Sequence, residues 1–410
     1  MEILDLLNTH PLWAVGIMLV VGYALGKASE RIGLPEITGF IVAGILIGPY
    51  AARILSSQMT RELAVLTEVA LAFLAFTVGG SLRRDVITRV GKAVFMISAG
   101  HLIVTGAFVG VALLAVGIHP AVAVLMGVIA GASSPGTTVA LVQRERASGP
   151  FVEHLFGVIA VVNALVIILF GIVFQFAPIM FGVGTGDSLL VLLGMAVSDV
   201  FLAVLIGIVG GFAMHLATRH SGQAAARTII LATGLLFIGT ASGITLGFSP
   251  LLLNMAAGAT FVNLSARSDS VFRTLEPLTP PIYALFFVLA GTKFQLEAFI
   301  AGPLLLSGAV YILSRLFGAY WGVRIGARIG RVSAGIGRNV GWCLVPQAGV
   351  ALGLVLLIEG GAVLGQLPPV AAATLLQAVN IVLMAIFVKE IVGPVIASAG
   401  LRRGLRDTVA

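Results

Sequence analysis

Apolar runs of about 20 residues, the length at which a helix crosses a ~30 Å hydrocarbon layer, recur from one end of the chain to the other. Short stretches holding charges, prolines and glycines separate them, and these breaks delimit the elements. The pattern predicts thirteen transmembrane helices, over 11–26, 37–55, 63–82, 93–117, 120–142, 154–176, 188–214, 227–247, 249–264, 280–296, 300–323, 338–358 and 369–397. The first run reads as a span and not as a cleaved leader. Glu2 and Asp5 flank it in place of a basic cluster, and no small-residue cleavage site follows.

Composition narrows the class. The 410 residues are 59% apolar and 10% charged, with a mean hydropathy of +1.11, whereas a soluble chain carries roughly 25% charged residues. A soluble enzyme, a secreted disulfide scaffold and a nucleic-acid-binding module are excluded. The fold class is an all-α polytopic membrane protein. The net charge of +7 is then a matter of loops. Of the 24 basic residues, twenty follow odd-numbered spans or the last one, counting Lys389 with Arg402, Arg403 and Arg406 at the C-terminal end. The other side holds Arg53, Arg61 and Lys293, and Arg315 falls inside a span. That asymmetry places the N-terminus outside and the C-terminus in the cytoplasm of a cell (inner) membrane. Cys343 has no partner for a disulfide within the chain.

The loops run to about a dozen residues and no GxxxxGK[ST] occurs. A nucleotide-binding domain, an ATP motor and a cofactor are therefore not expected. The expected partners are membrane lipid and a small ion, with no nucleic acid, and any transport is driven by gradients.

Two spans carry their own interruption. The fifth contains Ser133-Ser134-Pro135-Gly136, where proline lacks an N–H and glycine admits unusual dihedrals. The twelfth contains Pro346, Gln347 and Gly349. Non-helical backbone at that depth survives only inside protein or beside a watery cavity. Spans one to six (about 11–176) and eight to thirteen (about 227–397) form two sets, with the seventh (about 188–214) as linker. The broken span is fifth in each set. Matching spans lie seven apart, an odd number, so the sets run in opposite directions. Broken helices at equivalent positions of inverted repeats point to the binding site of a secondary transporter. The competing reading of either break alone is a simple kink.

Further stretches carry a resemblance. Gly33-Leu-Pro-Glu-Ile-Thr-Gly-Phe-Ile-Val-Ala-Gly-Ile-Leu-Ile-Gly-Pro49, Leu71-Ala-Phe-Leu-Ala-Phe-Thr-Val-Gly-Gly80, Leu285-Phe-Phe-Val-Leu-Ala-Gly291 and Leu344-Val-Pro-Gln-Ala-Gly-Val-Ala-Leu-Gly353 resemble the monovalent cation:proton antiporter superfamily, the sodium/potassium–proton exchangers, in that family's order. The resemblance implies a homodimer and a sodium/proton antiporter-like fold with crossed broken helices. It also implies a mobile core domain that carries the ion across by elevator-type alternating access.

The sequence departs from the family on the sixth span, where an essential aspartate is expected. Val162-Asn163 stands there. Proton-coupled exchange needs a group that binds either a proton or a cation, and an amide does not titrate. Either an aspartate has been substituted at Asn163, or the chain is a divergent member; the second departure, at Val162, favours divergence.

The predicted ion site consists of Ser133, Ser134, Thr137, Thr138, Asn163 and Gln347 with Arg315 nearby, and a monovalent cation is placed at Asn163 and Thr137. Each has a structural alternative: back-bonding to the i−4 carbonyl for the hydroxyls, and a tie to helix-end carbonyls for Arg315, whose charge must be paired at that depth. Asp199 on the seventh span is a possible proton carrier, with a capped or water-facing carboxylate as the alternative. Glu68 and His101 are weaker candidates. Two further functions stay open beside cation:proton antiport: an anion or weak-acid transporter on the same fold, and a non-transporting subunit.

Overall fold

The computed structural model describes residues 10–183, 189–220, 225–294, 302–360, 364 and 367–409. Glu2 and Asp5 lie outside them. The described residues are helical with no strand. Among the described residues ten helices are long and apolar enough to cross a membrane, and Glu36–Ile47, Pro250–Leu264 and Gly349–Ile358 are shorter apolar helices.

In chain order the main elements are α1 (Pro11–Arg31), α2 (Glu36–Ile47), α3 (Ala64–Gly80), α4 (Arg84–Ala115), α5 (Pro120–Ala130), α6 (Pro135–Arg144), α7 (Pro150–Gln175), α8 (Leu189–His220), α9 (Ala225–Leu246), α10 (Pro250–Leu264), α11 (Thr279–Thr292), α12 (Gly302–Ile329), α13 (Ala334–Cys343), α14 (Gly349–Gly360) and α15 (Pro369–Val409). The second predicted span is cut short because Gly48 and Pro49 follow Ile47, and proline brings no N–H to extend the helix. Within α4, Gly91 sits at φ 51°, a conformation only glycine adopts easily, and the membrane-crossing part runs from there to Ala115.

The last span needs a correction. The helix predicted to end at 397 continues to Val409, because Leu401 and Gly404 remain buried beyond the apolar run. Lys389, placed by the sequence with the cytoplasmic basic residues, is 3% exposed inside this helix. One basic residue thus moves from the loops into the core.

The helices approach closely where small residues face each other. α12 packs most extensively against α4. Gly318, Gly322 and Gly326 recur every fourth residue and so share one face. A Cβ at these positions would lie 2.6 Å from Thr105 Cα, 2.6 Å from Gly100 O and 2.3 Å from Met96 O. This contact sets the position of Arg315, one turn before Gly318. α10 packs against α3 and α8, and α11 against α1 and α2.

The end of α6 is tied to the tail of α15. Arg402 donates to both carboxylate oxygens of Glu145 at 2.8 and 3.0 Å, and Ser398 donates at 3.2 Å. The guanidinium bond holds the Glu145 carboxyl below its ordinary range. A depressed carboxylate stabilises above its unfolded value and loses that contribution as pH falls through its folded one. We expect a small acid-side drop in unfolding temperature that shrinks with salt, since Arg402 is 61% exposed. A pH series comparing wild type with Arg402→Ala checks it: the variant should lose that drop.

Candidate functional site

Both predicted interruptions are real breaks, and each has a local cause. α5 begins at Pro120, with His119 capping Ala121 N–H at 3.3 Å. It ends at Ala130, and a new helix starts at Pro135, which occupies the first-turn position where a missing N–H costs nothing. Ser134 is the N-cap of α6. Its hydroxyl accepts from Thr137 N–H at 3.3 Å and lies 2.8 Å from Thr137 Oγ1. In the twelfth span α13 ends at Cys343 and α14 starts at Gly349. The unwound segments touch: Ser134 N–H donates to Pro346 O at 3.0 Å.

A broken helix leaves carbonyls without helical donors. Here side chains from three other elements meet them in succession. Gln347 Nε2 donates to Ile129 O at 2.8 Å, Arg315 Nε to Ala130 O at 2.8 Å, and Arg315 Nη2 to Ala132 O at 2.8 Å. His101 Nε2 lies 3.1 Å from Gly131 O; a carbonyl only accepts, so Nε2 carries the proton and Nδ1 accepts from Thr105 Oγ1 at 3.3 Å. Arg315 also reaches the other break, donating to Val345 O at 2.7 Å and Leu344 O at 3.0 Å. A cation between two helix C-terminal ends is electrostatically favoured. Arg315, fully buried, therefore ties both half-helices together and faces carbonyls, not an open anion site.

Asn163 is fully buried on α7, and its Oδ1 accepts from Ser133 N–H, in the unwound segment, at 3.0 Å. Asn163 thus caps the break. Asn163→Ala would strand that buried N–H at a cost of about 1–3 kcal/mol. Asn163→Asp keeps the acceptor, so thermal unfolding should fall for the first variant and much less for the second. Thr138 Oγ1 back-bonds to Ser134 O at 3.1 Å.

The structure brings Ser133, Ser134, Thr137, Thr138, Asn163, Gln347 and Arg315 to the crossing. It does not bring Asp199. That residue is partly exposed on α8, accepts from Gln175 Nε2 at 3.3 Å, and lines a cavity of about 960 Å³ with Glu68, Thr67, Thr240 and Lys293.

Two further residues that reach the crossing are absent from the sequence-based set: Lys389 and Glu390, on α15. Both are buried. Lys389 Nζ donates to Gln347 Oε1 and sits 4.6 Å from the Tyr311 ring centroid. Glu390 Oε2 faces Thr137 Oγ1 at 3.5 Å. Pro394 has no N–H for the carbonyl four residues earlier, that of Glu390; Thr38 Oγ1 approaches that carbonyl at 3.4 Å instead. The signal is present in the sequence, since Lys389-Glu390 falls inside the predicted thirteenth span. Ionisable residues at that depth are rare and face the protein interior or a water-filled cavity.

The model of the sodium/hydrogen exchanger transmembrane family matches residues 16–401. The chain belongs to that family. This is a family of exchangers, not of enzymes. The chain is 22% identical over 307 residues to the glutathione-regulated potassium-efflux system protein KefC of Klebsiella pneumoniae, a match covering 73% of this chain and 47% of KefC. It thus spans about half the length of that curated relative. Among solved structures it shares the fold of the sodium proton antiporter MjNhaP1 from Methanocaldococcus jannaschii. The TM-score is 0.76 at 18% identity, covering 96% of this chain and 98% of that one. A second MjNhaP1 structure, from an EM map, matches with a TM-score of 0.69 at 15% identity over 99% of this chain and 98% of that one. This exchanger-family member has both helix breaks and carries Asn163 where the resemblance implies an acid. Among the described residues no group of three or more His, Cys, Asp or Glu could hold a metal ion.

Proposed function

We propose that this chain is a secondary transporter exchanging a small monovalent cation for protons by elevator-type alternating access. It works as a homodimer in the inner membrane, with the N-terminus outside and the C-terminus in the cytoplasm. The observation that carries the proposal is the meeting of two unwound segments through Ser134 and Pro346, with Arg315 bound to carbonyls of both. Such half-helix pairs form ion sites in carriers built from inverted repeats.

The packing supports repeats over about 11–176 and 227–397. Moving seven spans along the chain turns the α1–α2 contact into α9–α10, α3–α10 into α11–α2, and α1–α11 into α9–α3; each of these pairs is packed, and α4–α12 maps onto itself. The family match supports a cation as cargo, and the relatives' printed names point to Na⁺ or K⁺.

Proteoliposomes loaded with a pH-sensitive dye test the proposal. A pulse of Na⁺, K⁺ or Li⁺ should move protons against the cation, and empty liposomes should not respond. Silence with all three ions would contradict it.

A further inference from the structure

A site that exchanges a cation for a proton needs a group able to hold either one, and the sixth span offers an amide that is already used. Asn163 Oδ1 accepts from the Ser133 N–H, and its remaining Nδ2 is a donor, which repels a cation. The other oxygens of the break are neutral: Ser134 Oγ lies 2.8 Å from Thr137 Oγ1, and Thr138 Oγ1 donates to Ser134 O, so none of them supplies the negative charge.

Among the described residues, the buried charged side chains are Arg315, Lys389 and Glu390. Arg315 is bound to four carbonyls. Lys389 points to the second break, at Gln347 and Tyr311. Glu390 is the next residue on the helix, so its side chain leaves about 100° around the axis, toward the first break. It is 0% exposed. Its Oε1 has no hydrogen-bond partner, and its Oε2 meets Thr137 Oγ1 at 3.5 Å, longer than O–H···O bonds run. No ion pair joins it to Lys389 or Arg315 among the described residues. A buried carboxyl with so few partners is costly unless it does something. Two other buried polar atoms around the first break also lack partners, Ser133 Oγ and Asn163 Nδ2.

We propose that Glu390, together with the Thr137 hydroxyl, binds the transported monovalent cation, so that the acidic ligand has moved from the sixth span to the last one. The proposal rests on the crossing being the transport site. α15 is well placed for this role. The carbonyl of Glu390 has lost its helical donor to Pro394 and is approached by Thr38 of α2. Gly393 lets α15 pass close to the second break, since a Cβ there would lie 3.1 Å from Pro346 Cα. The carboxylate is thereby held beside both interruptions. One oxygen can hold a cation or a proton in turn, which a neutral Asn163 cannot do.

Binding of radiolabelled sodium, and of thallium as a potassium surrogate, to purified protein in a scintillation-proximity assay tests this directly. Wild type should bind one of them saturably. Glu390→Gln should weaken binding about tenfold or more, the loss of a charged ligand, while Glu390→Asp retains most of it. Gel filtration and unfolding temperature confirm that both variants are folded. Wild-type binding that persists in Glu390→Gln, or no binding by wild type, overturns the assignment. Dye-loaded proteoliposomes separate this from the transport proposal. Proton exchange surviving in Glu390→Gln leaves the antiporter standing and removes Glu390 from its site. Glu390-dependent binding without wild-type exchange keeps the site and removes the antiport.

Discussion

Arg315→Ala is expected to produce a protein that fails to accumulate or unfolds far below wild type in detergent. The guanidinium donates to Ala130, Ala132, Leu344 and Val345. These carbonyls lie at the two breaks, where the helices supply them no donors. Each buried acceptor left bare costs about 1–3 kcal/mol. Together they approach the margin of about 5–15 kcal/mol by which a domain is stable. Lysine restores the charge but not the planar fork that spans two segments, so Arg315→Lys should fall between alanine and wild type. Fluorescence-detected gel filtration after a heating series measures all three. An alanine variant as stable as wild type would mean that the two half-helices do not depend on this tie.

The second large effect is expected at Gly322. A side chain there must displace backbone, because its Cβ would already lie 2.6 Å from Gly100 O and 2.8 Å from His101 Cα. Gly322→Leu forces α4 and α12 apart, and overpacking of this kind costs about 1–3 kcal/mol or more. The damage is not confined to the contact. His101 and Arg315 project from these two helices onto the carbonyls of the first break, so ion exchange should be lost even where some folded protein survives. Gly234 on α9 is the control. Nothing lies within 4 Å of a Cβ there, and Gly234→Ala should be neutral or stabilise by about 0.5–1 kcal/mol. Unfolding temperature and dye-reported flux, measured together, separate the two outcomes. Equal behaviour of the two variants would mean that the close α4–α12 approach does not hold the first break in place.

Much of this architecture is legible because the bilayer reduces a helix to its length and its interruptions. Ser134-Pro135-Gly136 and Pro346 mark both breaks by chemistry that acts within a few residues. Arg315 announces itself as a cation that must find partners, but which partners depends on how α12 lies across two other elements, and no local pattern encodes that. Asn163 is recognisable as non-titrating, whereas its work as a cap on Ser133 requires the placement of α7. Lys389 counts with the basic tail in the sequence because it precedes Arg402, Arg403 and Arg406 in the chain. The predicted span already encloses it, and its burial follows from α15 running past both breaks. Asp199 stands out for its depth in the seventh span, yet depth along a helix says nothing about which face meets the crossing.

Alternating access requires the segment between α5 and α6 to serve a site reached from both sides of the membrane in turn. Gly136 is the natural reporter, since it is exposed beside Ser134 and Thr137 and open space surrounds its Cβ direction. The one native cysteine, Cys343, is buried and can be replaced. In a Cys343→Ser background, Gly136→Cys in oriented proteoliposomes should react with a membrane-impermeant thiol reagent applied to either face, and saturating cation should change the ratio of the two rates. Reaction from one face alone, unchanged by any cation, would contradict alternating access through this segment.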